Sequence, residues 1–262
     1  MKIVGFTQLR NELEKGNLEN WFKCMSVCDH MYIFDQNSTD GSKEYYKQFD
    51  NVTVIESEVN RFSEELVCKN ELLTKLLKEH PDTDWILWLD GDLLLDGRLL
   101  DDDGKLLKEL CRQGSFERVD AFFFDHYNLW RSDIHYRVDD QYHSLNGGWV
   151  PLWRNTGNLT FPQQSGLHHK QYPDGLQSAV KTNYCVIHRG FATDYQIMTK
   201  YDTYKANGQN GWALERLLNE EGLQTELLPF AYLPKWFEIT QSTDPKNLER
   251  IREIYNKNQT TN

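Results

Sequence analysis

The sequence predicts an α/β protein, a Rossmann-like, doubly wound and mostly parallel sheet flanked by helices, with a C-terminal extension. Three observations predict it. Strand-like and helix-like segments alternate over residues 1–100, the pattern of a parallel sheet with right-handed crossovers. Trp85-Ile86-Leu87-Trp88-Leu89 is an unbroken apolar run, too short to cross a membrane, and reads as a strand buried on both faces. Finally, 262 residues suffice for a full core in one large domain, so the chain is read as a single domain with halves at 1–100 and 101–262.

In chain order, Lys2 to Gln8 is the first strand, running into the polar segment Gln8-Leu9-Arg10-Asn11-Glu12. Leu18, Trp21, Phe22, Met25 and Cys28 recur at spacings of three and four and predict an amphipathic helix. Met31 to Phe34 is the second strand, followed by Asp35-Gln36-Asn37-Ser38-Thr39-Asp40-Gly41-Ser42, which concentrates turn and capping residues. Val52 to Glu56 is a third strand. Phe62, Leu66, Leu73 and Leu77 mark a helix to Glu79, which His80-Pro81-Asp82 stops before the apolar run. The polar segments thus follow successive strands, at the carboxyl edge where open α/β sheets bind ligands.

Asp90-Gly91-Asp92 ends the apolar run. Residues two apart on an extended chain point the same way, so Asp90 and Asp92 are expected to face one site, with Gly91 permitting close approach. Two carboxylates held together on a dry strand need a cation or hydrogen-bond donors to offset their repulsion, and a divalent metal is the economical choice. Asp35 and Asp40 have two readings: loop formation and helix capping, or charge-assisted bonds to a ribose or base.

Composition narrows the partners. With 29 basic and 40 acidic side chains the net charge is −11, and no long Lys/Arg cluster stands out, which argues against nucleic acid as a partner. Met1 to Phe6 enters a strand pattern directly and no uncharged apolar run reaches the length of an integral membrane segment, so a cytoplasmic location is expected. Five scattered cysteines fit reduced thiols; Cys24 and Cys28, at helical spacing, read as helix-face residues rather than metal ligands.

The ordered set Arg10-Asn11-Glu12, Asp35 to Ser42, Lys69-Asn70 and Asp84 to Asp92 resembles the nucleotide-sugar-binding half of family-two glycosyltransferases of the GT-A fold. The resemblance implies that Thr7, Arg10, Glu12, Asp35, Asn37, Ser38, Asp40 and Lys69 hold the nucleotide of a UDP- or GDP-type sugar donor. It further implies that Asp90 and Asp92, with Gly91 between them, hold Mn²⁺ or Mg²⁺ on the diphosphate.

The second half extends the resemblance more loosely. Leu99 to Gly114 is expected to be a surface helix introduced by Asp101-Asp102-Asp103, and Asp120 to Asp125 a buried strand. Its tail, His126 to Arg131, mixes aromatic and polar groups suited to a sugar face, although packing accounts for each aromatic singly. Gly147, Gly148 and Trp149, with Trp130 and His168, are expected to form an acceptor wall. His188, at the end of an apolar strand, would complete the metal shell, and Arg189 and Lys200 would cover the diphosphate. Where the related branch places a catalytic Glu, this chain has His169; Asp125 is the rival base.

Helices are also expected over Gln209 to Gly222 and from Thr243 to Lys257, with a short strand over Leu223 to Phe230. The function expected is metal-dependent, inverting transfer from a nucleotide sugar to a saccharide hydroxyl, with two rivals. One is a sugar nucleotidyltransferase, for which Gln8 to Glu12 lacks a glycine-rich phosphate loop; the other is a carbohydrate-binding protein that has lost catalysis.

Overall fold

The structure, a computed structural model, describes residues 1–139, 148–164 and 172–240. Gly147, His168, His169 and the expected helix after Thr243 lie outside the described residues. The chain forms two compact units, one built from Met1–Asp92, Leu99–Phe124 and Gly147–Asn183, the other from Leu93–Arg98, Asp125–Asn146 and Tyr184–Asn262.

The chain first forms β1 (Ile3–Leu9), α1 (Leu18–Met25), β2 (His30–Asp35), α2 (Ser42–Tyr46), β3 (Val52–Glu56), α3 (Glu65–Glu79) and β4 (Trp85–Trp88). Then come β5 (Leu93–Leu95), α4 (Gly97–Glu117), β6 (Ala121–Asn128), β7 (His135–Arg137) and β8 (Trp149–Arg154). The last described elements include β9 (Ala179–His188), α5 (Asp194–Ala206), α6 (Trp212–Leu218) and β10 (Thr225–Leu227).

In the first unit β1 pairs in parallel with both β2 and β4, and β2 with β3, as the alternation predicts. β8 then runs antiparallel to β4, and β6 antiparallel to β8. β9 follows β6 in the same direction: the Ala121 amide donates to Ser178 O at one end. The reason is burial on both faces. Every residue of β4 is buried, and one hydrophobic core includes Val4, Phe6, Phe34, Leu73, Ile86, Trp88 and Trp153. On α1 the spacing works as expected, burying Leu18, Trp21, Phe22 and Met25, although the helix stops before Cys28. All five cysteines are free and buried.

Two expectations change. β4 ends at Trp88, and Gly91 and Asp92 form a turn into β5, so Asp90 and Asp92 do not share a face by strand alternation. The helix expected from Leu99 is interrupted: Asp101 is extended, and Asp102, Asp103 and Gly104 have φ of 49°, 53° and 72°. Aspartate and glycine are residues that visit this left-handed region, and a Cβ on Gly104 would lie 2.9 Å from Val27 Cγ1. The acidic run therefore marks a break, after which the regular helix proceeds.

In the second unit β5 pairs antiparallel with the end of β9, Leu93 opposite His188, and the Leu129 amide donates to His188 O. β7 pairs antiparallel with β10. Thr193 caps α5 through a reciprocal box with Gln196, and a core of Trp130, Phe191, Ile197 and Leu217 packs beneath it. The expected 209–222 helix and 223–230 strand are present in shorter form as α6 and β10. Among the described residues no helix is long and apolar enough to cross a membrane.

Because Ile86 is fully buried in the first unit's core and paired with Val4, Ile86→Ala is expected to cost about 2–5 kcal/mol. Urea unfolding measures it, and a loss below about 1 kcal/mol would contradict this packing.

Candidate functional site

The carboxyl ends of β1, β2 and β4 lie in one unit, and the polar segments after them form a connected structure. The Asp90-Gly91-Asp92 turn is fixed from behind. The carbonyl of Leu89, past the end of β4, accepts bonds from Thr7 Oγ1 at 2.6 Å and from Trp21 Nε1 at 3.0 Å. Gly91 is pressed against the loop after β1: a Cβ there would lie 2.6 Å from Glu12 Cγ and 2.9 Å from Leu9 Cδ2. Any side chain larger than hydrogen must displace Glu12 or Leu9, so the glycine is required here by packing against the chain itself. Asp90 and Asp92 are half-buried.

Glu12 is itself held. Its carboxylate accepts from Lys15 Nζ at 2.7 Å and Asn17 Nδ2 at 3.0 Å, and its carbonyl accepts from the Asn17 and Leu18 amides at the start of α1. Arg10, beside it, is exposed.

The loops after β1 and β2 are zipped together. The Asn11 amide donates to Ser38 Oγ, Asn11 Oδ1 accepts from the Thr39 amide, the Leu13 amide donates to Ser42 Oγ, and the Glu14 amide donates to Asp40 Oδ2. Asn11 and Asn37 supply the left-handed φ of 53° and 60° that the turns require. Asp35 is fully buried, accepting from the Ser38 amide at 2.8 Å and from Tyr46 Oη at 3.2 Å. Asp35, Ser38 and Asp40, expected as nucleotide contacts, thus shape the loop.

Lys69, also expected as a nucleotide contact, lies inside the first unit. It is 1% exposed, its ammonium 2.6 Å from Glu65 and 4.2 Å above the Trp88 ring. Trp149 stacks on the same Trp88 at 5.0 Å between centroids. Lys69 therefore caps an aromatic stack rather than reaching outward. Gly148 has open space where a Cβ would be.

The geometry adds two residues that the sequence reading passed over, Gln8 on β1 and Gln36 after β2. Gln8 Nε2 donates to Glu65 O at 2.7 Å, and Gln36 Nε2 donates to Gln8 Oε1 at 3.2 Å. The available signal was two glutamines at the ends of adjacent parallel strands.

The second unit holds the later candidates. His188 Nδ1 lies 2.7 Å from Asn128 Oδ1, and its ring meets His126 at 5.4 Å and Phe191 edge-on at 4.8 Å. His126 and Asn128 therefore share the His188 face of β6, and strand alternation turns Asp125 to the other face. Burial, and then Asp96, push the Cys185 thiol well up, and Asp125 adds to this from the same side. Arg189 is nearly buried, 3.1 Å from Asp133 and stacked over Phe237. Lys200 Nζ sits 5.4 Å above Phe191. Trp130, expected on an acceptor wall, is fully buried, with Phe191 and the Arg137 guanidinium against its ring, so packing explains it.

Asp40 gives the loop zipper a pH dependence. Burial pushes its carboxyl up, but bonds from Ser42 and the Glu14 amide outweigh this and hold it below its ordinary value of 3.8. A depressed carboxyl stabilises the fold above that value and loses its contribution as pH falls through the folded pKa. Asp40→Ala is expected to cost about 1 kcal/mol at pH 7, with the gap from the parent narrowing below about pH 3.8. Urea unfolding at the two pH values tests this; a gap that stays constant into acid contradicts it.

No protein-family model matches the chain. Among curated proteins it is similar to the GTPase Era of Campylobacter jejuni subsp. doylei, 25% identical over 122 residues that make up 44% of this chain and 39% of that one. The sequence contains no Gly-x-x-x-x-Gly-Lys-Ser/Thr phosphate loop. Among solved structures it is similar to S. aureus TarS, with 13% identity, a TM-score of 0.47, and coverage of 84% of this chain and 42% of that one. It is also similar to a glycosyltransferase involved in glycosylation of the major capsid of PBCV-1, at 13% identity, a TM-score of 0.32 and coverage of 60% and 62%. A third is 4-diphosphocytidyl-2C-methyl-D-erythritol synthase, at 14% identity, a TM-score of 0.36 and coverage of 97% and 99%. The chain spans less than two thirds of Era, of TarS and of the capsid-modifying enzyme.

Proposed function

We propose that this chain is a metal-dependent glycosyltransferase that moves a sugar from a nucleotide-diphosphate sugar, of UDP or GDP type, to a hydroxyl of a saccharide acceptor with inversion. The observation that carries the reading is the Asp90-Gly91-Asp92 turn, pinned through Leu89 and packed on Glu12, at the same strand edge as the loops after β1 and β2.

The donor set fits Mn²⁺ or Mg²⁺. Two half-buried carboxylates offer hard oxygen ligands, and among the described residues no cluster of three or more His, Cys, Asp or Glu side chains is assembled. Such a pair suits an ion that takes its remaining ligands from phosphate oxygens and water. When bound, the ion neutralises charge developing on the leaving diphosphate. In this reading Asp90 and Asp92 orient the diphosphate, exposed Arg10 meets the donor's negative charge, and the zipped loops wall the nucleoside. His188, its ring held by the contact with Asn128, is the imidazole candidate for a further ligand. Arg189 and Lys200 remain the phosphate-side cations of the proposal. The base that deprotonates the acceptor hydroxyl is, in this proposal, His169 or its rival Asp125.

The test is nucleotide release from a panel of UDP-, GDP-, CMP- and dTDP-sugars with Mn²⁺. The parent protein is expected to release nucleotide from a UDP or GDP donor. Asp92→Ala is expected to lose at least about a hundredfold in rate while its circular dichroism and thermal midpoint stay near the parent's. Full activity in Asp92→Ala would overturn the scheme.

A further inference from the structure

A cluster of titratable groups gathers at the amino edge of the parallel strands, the end of β4 opposite to Asp90-Gly91-Asp92, and none of it belongs to the proposed site. Its hub is Lys2, just before β1. The Lys2 ammonium lies 2.6 Å from His80 Nδ1 and 2.9 Å from Asp82 Oδ1. The Lys2 amide donates to Asp84 Oδ2 at 2.7 Å, and the Lys2 carbonyl accepts from the Asp84 and Trp85 amides. Residues 80–85, which carry the chain from α3 into β4, thus close around one residue.

An ammonium has donors and no acceptor, so His80 Nδ1 accepts here and the ring is neutral, with its proton on Nε2. A second imidazole stands beside it. The half-buried His30 ring, at the start of β2, lies 4.8 Å from the His80 ring, and Tyr32 packs against both, at 5.2 Å and 5.8 Å. Thr53 Oγ1 on β3 meets His30 Nε2 at 2.9 Å. The carboxylates here are exposed and already engaged, Glu79 by Tyr32 Oη and Lys75, and Asp82 by Lys2, so they offset little added positive charge.

Acid acts on this arrangement at two points. A protonated His80 cannot accept from Lys2, so that bond is lost. A charge on His30 adds a further cation beside His80 and Lys2. Burial first, then His80 and Lys2, hold the His30 imidazole below its ordinary value of 6.5, with Glu79 opposing them. A histidine depressed in this way binds fewer protons folded than unfolded. Its contribution to stability is therefore complete above 6.5 and is lost as pH falls from there through the folded value.

We propose that Lys2, His30 and His80 form an acid-released latch, which fastens residues 80–85 to the start of β1 at neutral pH and opens on mild acidification. The latch is a conformational device of the first unit and does not depend on what the chain binds.

The experiment is NMR of the full chain between about pH 7.5 and 5, following the His30 and His80 ring signals and the hydrogen exchange of the Asp84 and Trp85 amides. His30 is expected to titrate with a midpoint below 6.5. The protection factors of the two amides are expected to fall at least about fivefold across that range. His80→Asn places a non-titrating acceptor where Nδ1 stands, and His30→Phe keeps a ring without a titrating group. Together they are expected to hold the fall below about twofold. If the double variant does not fold, His80→Asn alone is expected to show at most about half of the parent's fall. A His30 midpoint at or above 6.5, amides equally protected at both ends of the range in the parent, or the parent's full loss of protection in the variants would overturn the latch.

Discussion

The carbonyl of Leu89 is the point on which the candidate site depends. β4 leaves the parallel ladder at Trp88, and a chain that leaves a sheet edge has many directions open to it. Two side-chain donors from separate elements, Thr7 on β1 and Trp21 on α1, close on that single oxygen and set the direction in which Asp90-Gly91-Asp92 departs. Contact between Gly91 and Glu12 then limits how far the turn can shift. Hydrogen bonds buried this way are worth more than their surface counterparts, and an acceptor held by two donors resists rotation.

The same logic sorts the polar residues around the turn. In a binding loop some side chains meet the ligand and others build the wall that lets them do so. Ser38, Asp35 and Asp40 belong to the second group, since their acceptors are engaged by loop amides or by Tyr46. Lys69 also supports, pairing with Glu65 and resting on Trp88. Arg10, Asp90 and Asp92 keep exposed surface. Residue type alone cannot separate the two groups, because aspartate serves equally as cap, loop staple and ligand.

Much of the fold was legible in the sequence because its signals are periodic. The 18–25 helix buries the residues its spacing marked, and β3 occupies the residues assigned to it. Apolar runs were legible as buried strands for the same reason. What escaped notice was set by local backbone chemistry or by distant partners. The run Asp101 to Asp103 looks like a helix start, yet left-handed φ values place a break there. The end of β4 at Trp88 is invisible in a sequence that stays apolar through Leu89. Trp130 reads as a sugar platform in the sequence, but it is buried against Phe191 and the Arg137 guanidinium. Gln8 and Gln36, each unremarkable alone, acquire meaning only when parallel pairing brings their strand ends together.

The central claim is that the Asp90-Asp92 turn binds a nucleoside diphosphate and a divalent ion as one unit. If so, the two ligands are thermodynamically coupled, and each must raise the other's affinity by the same factor. Titrating UDP or GDP with and without Mn²⁺, and Mn²⁺ with and without the nucleotide, measures both sides of that cycle. The account predicts equal coupling of at least about tenfold in the parent protein, lost in Asp92→Ala. Independent binding of metal and nucleotide in the parent, or coupling that survives in Asp92→Ala, would contradict it.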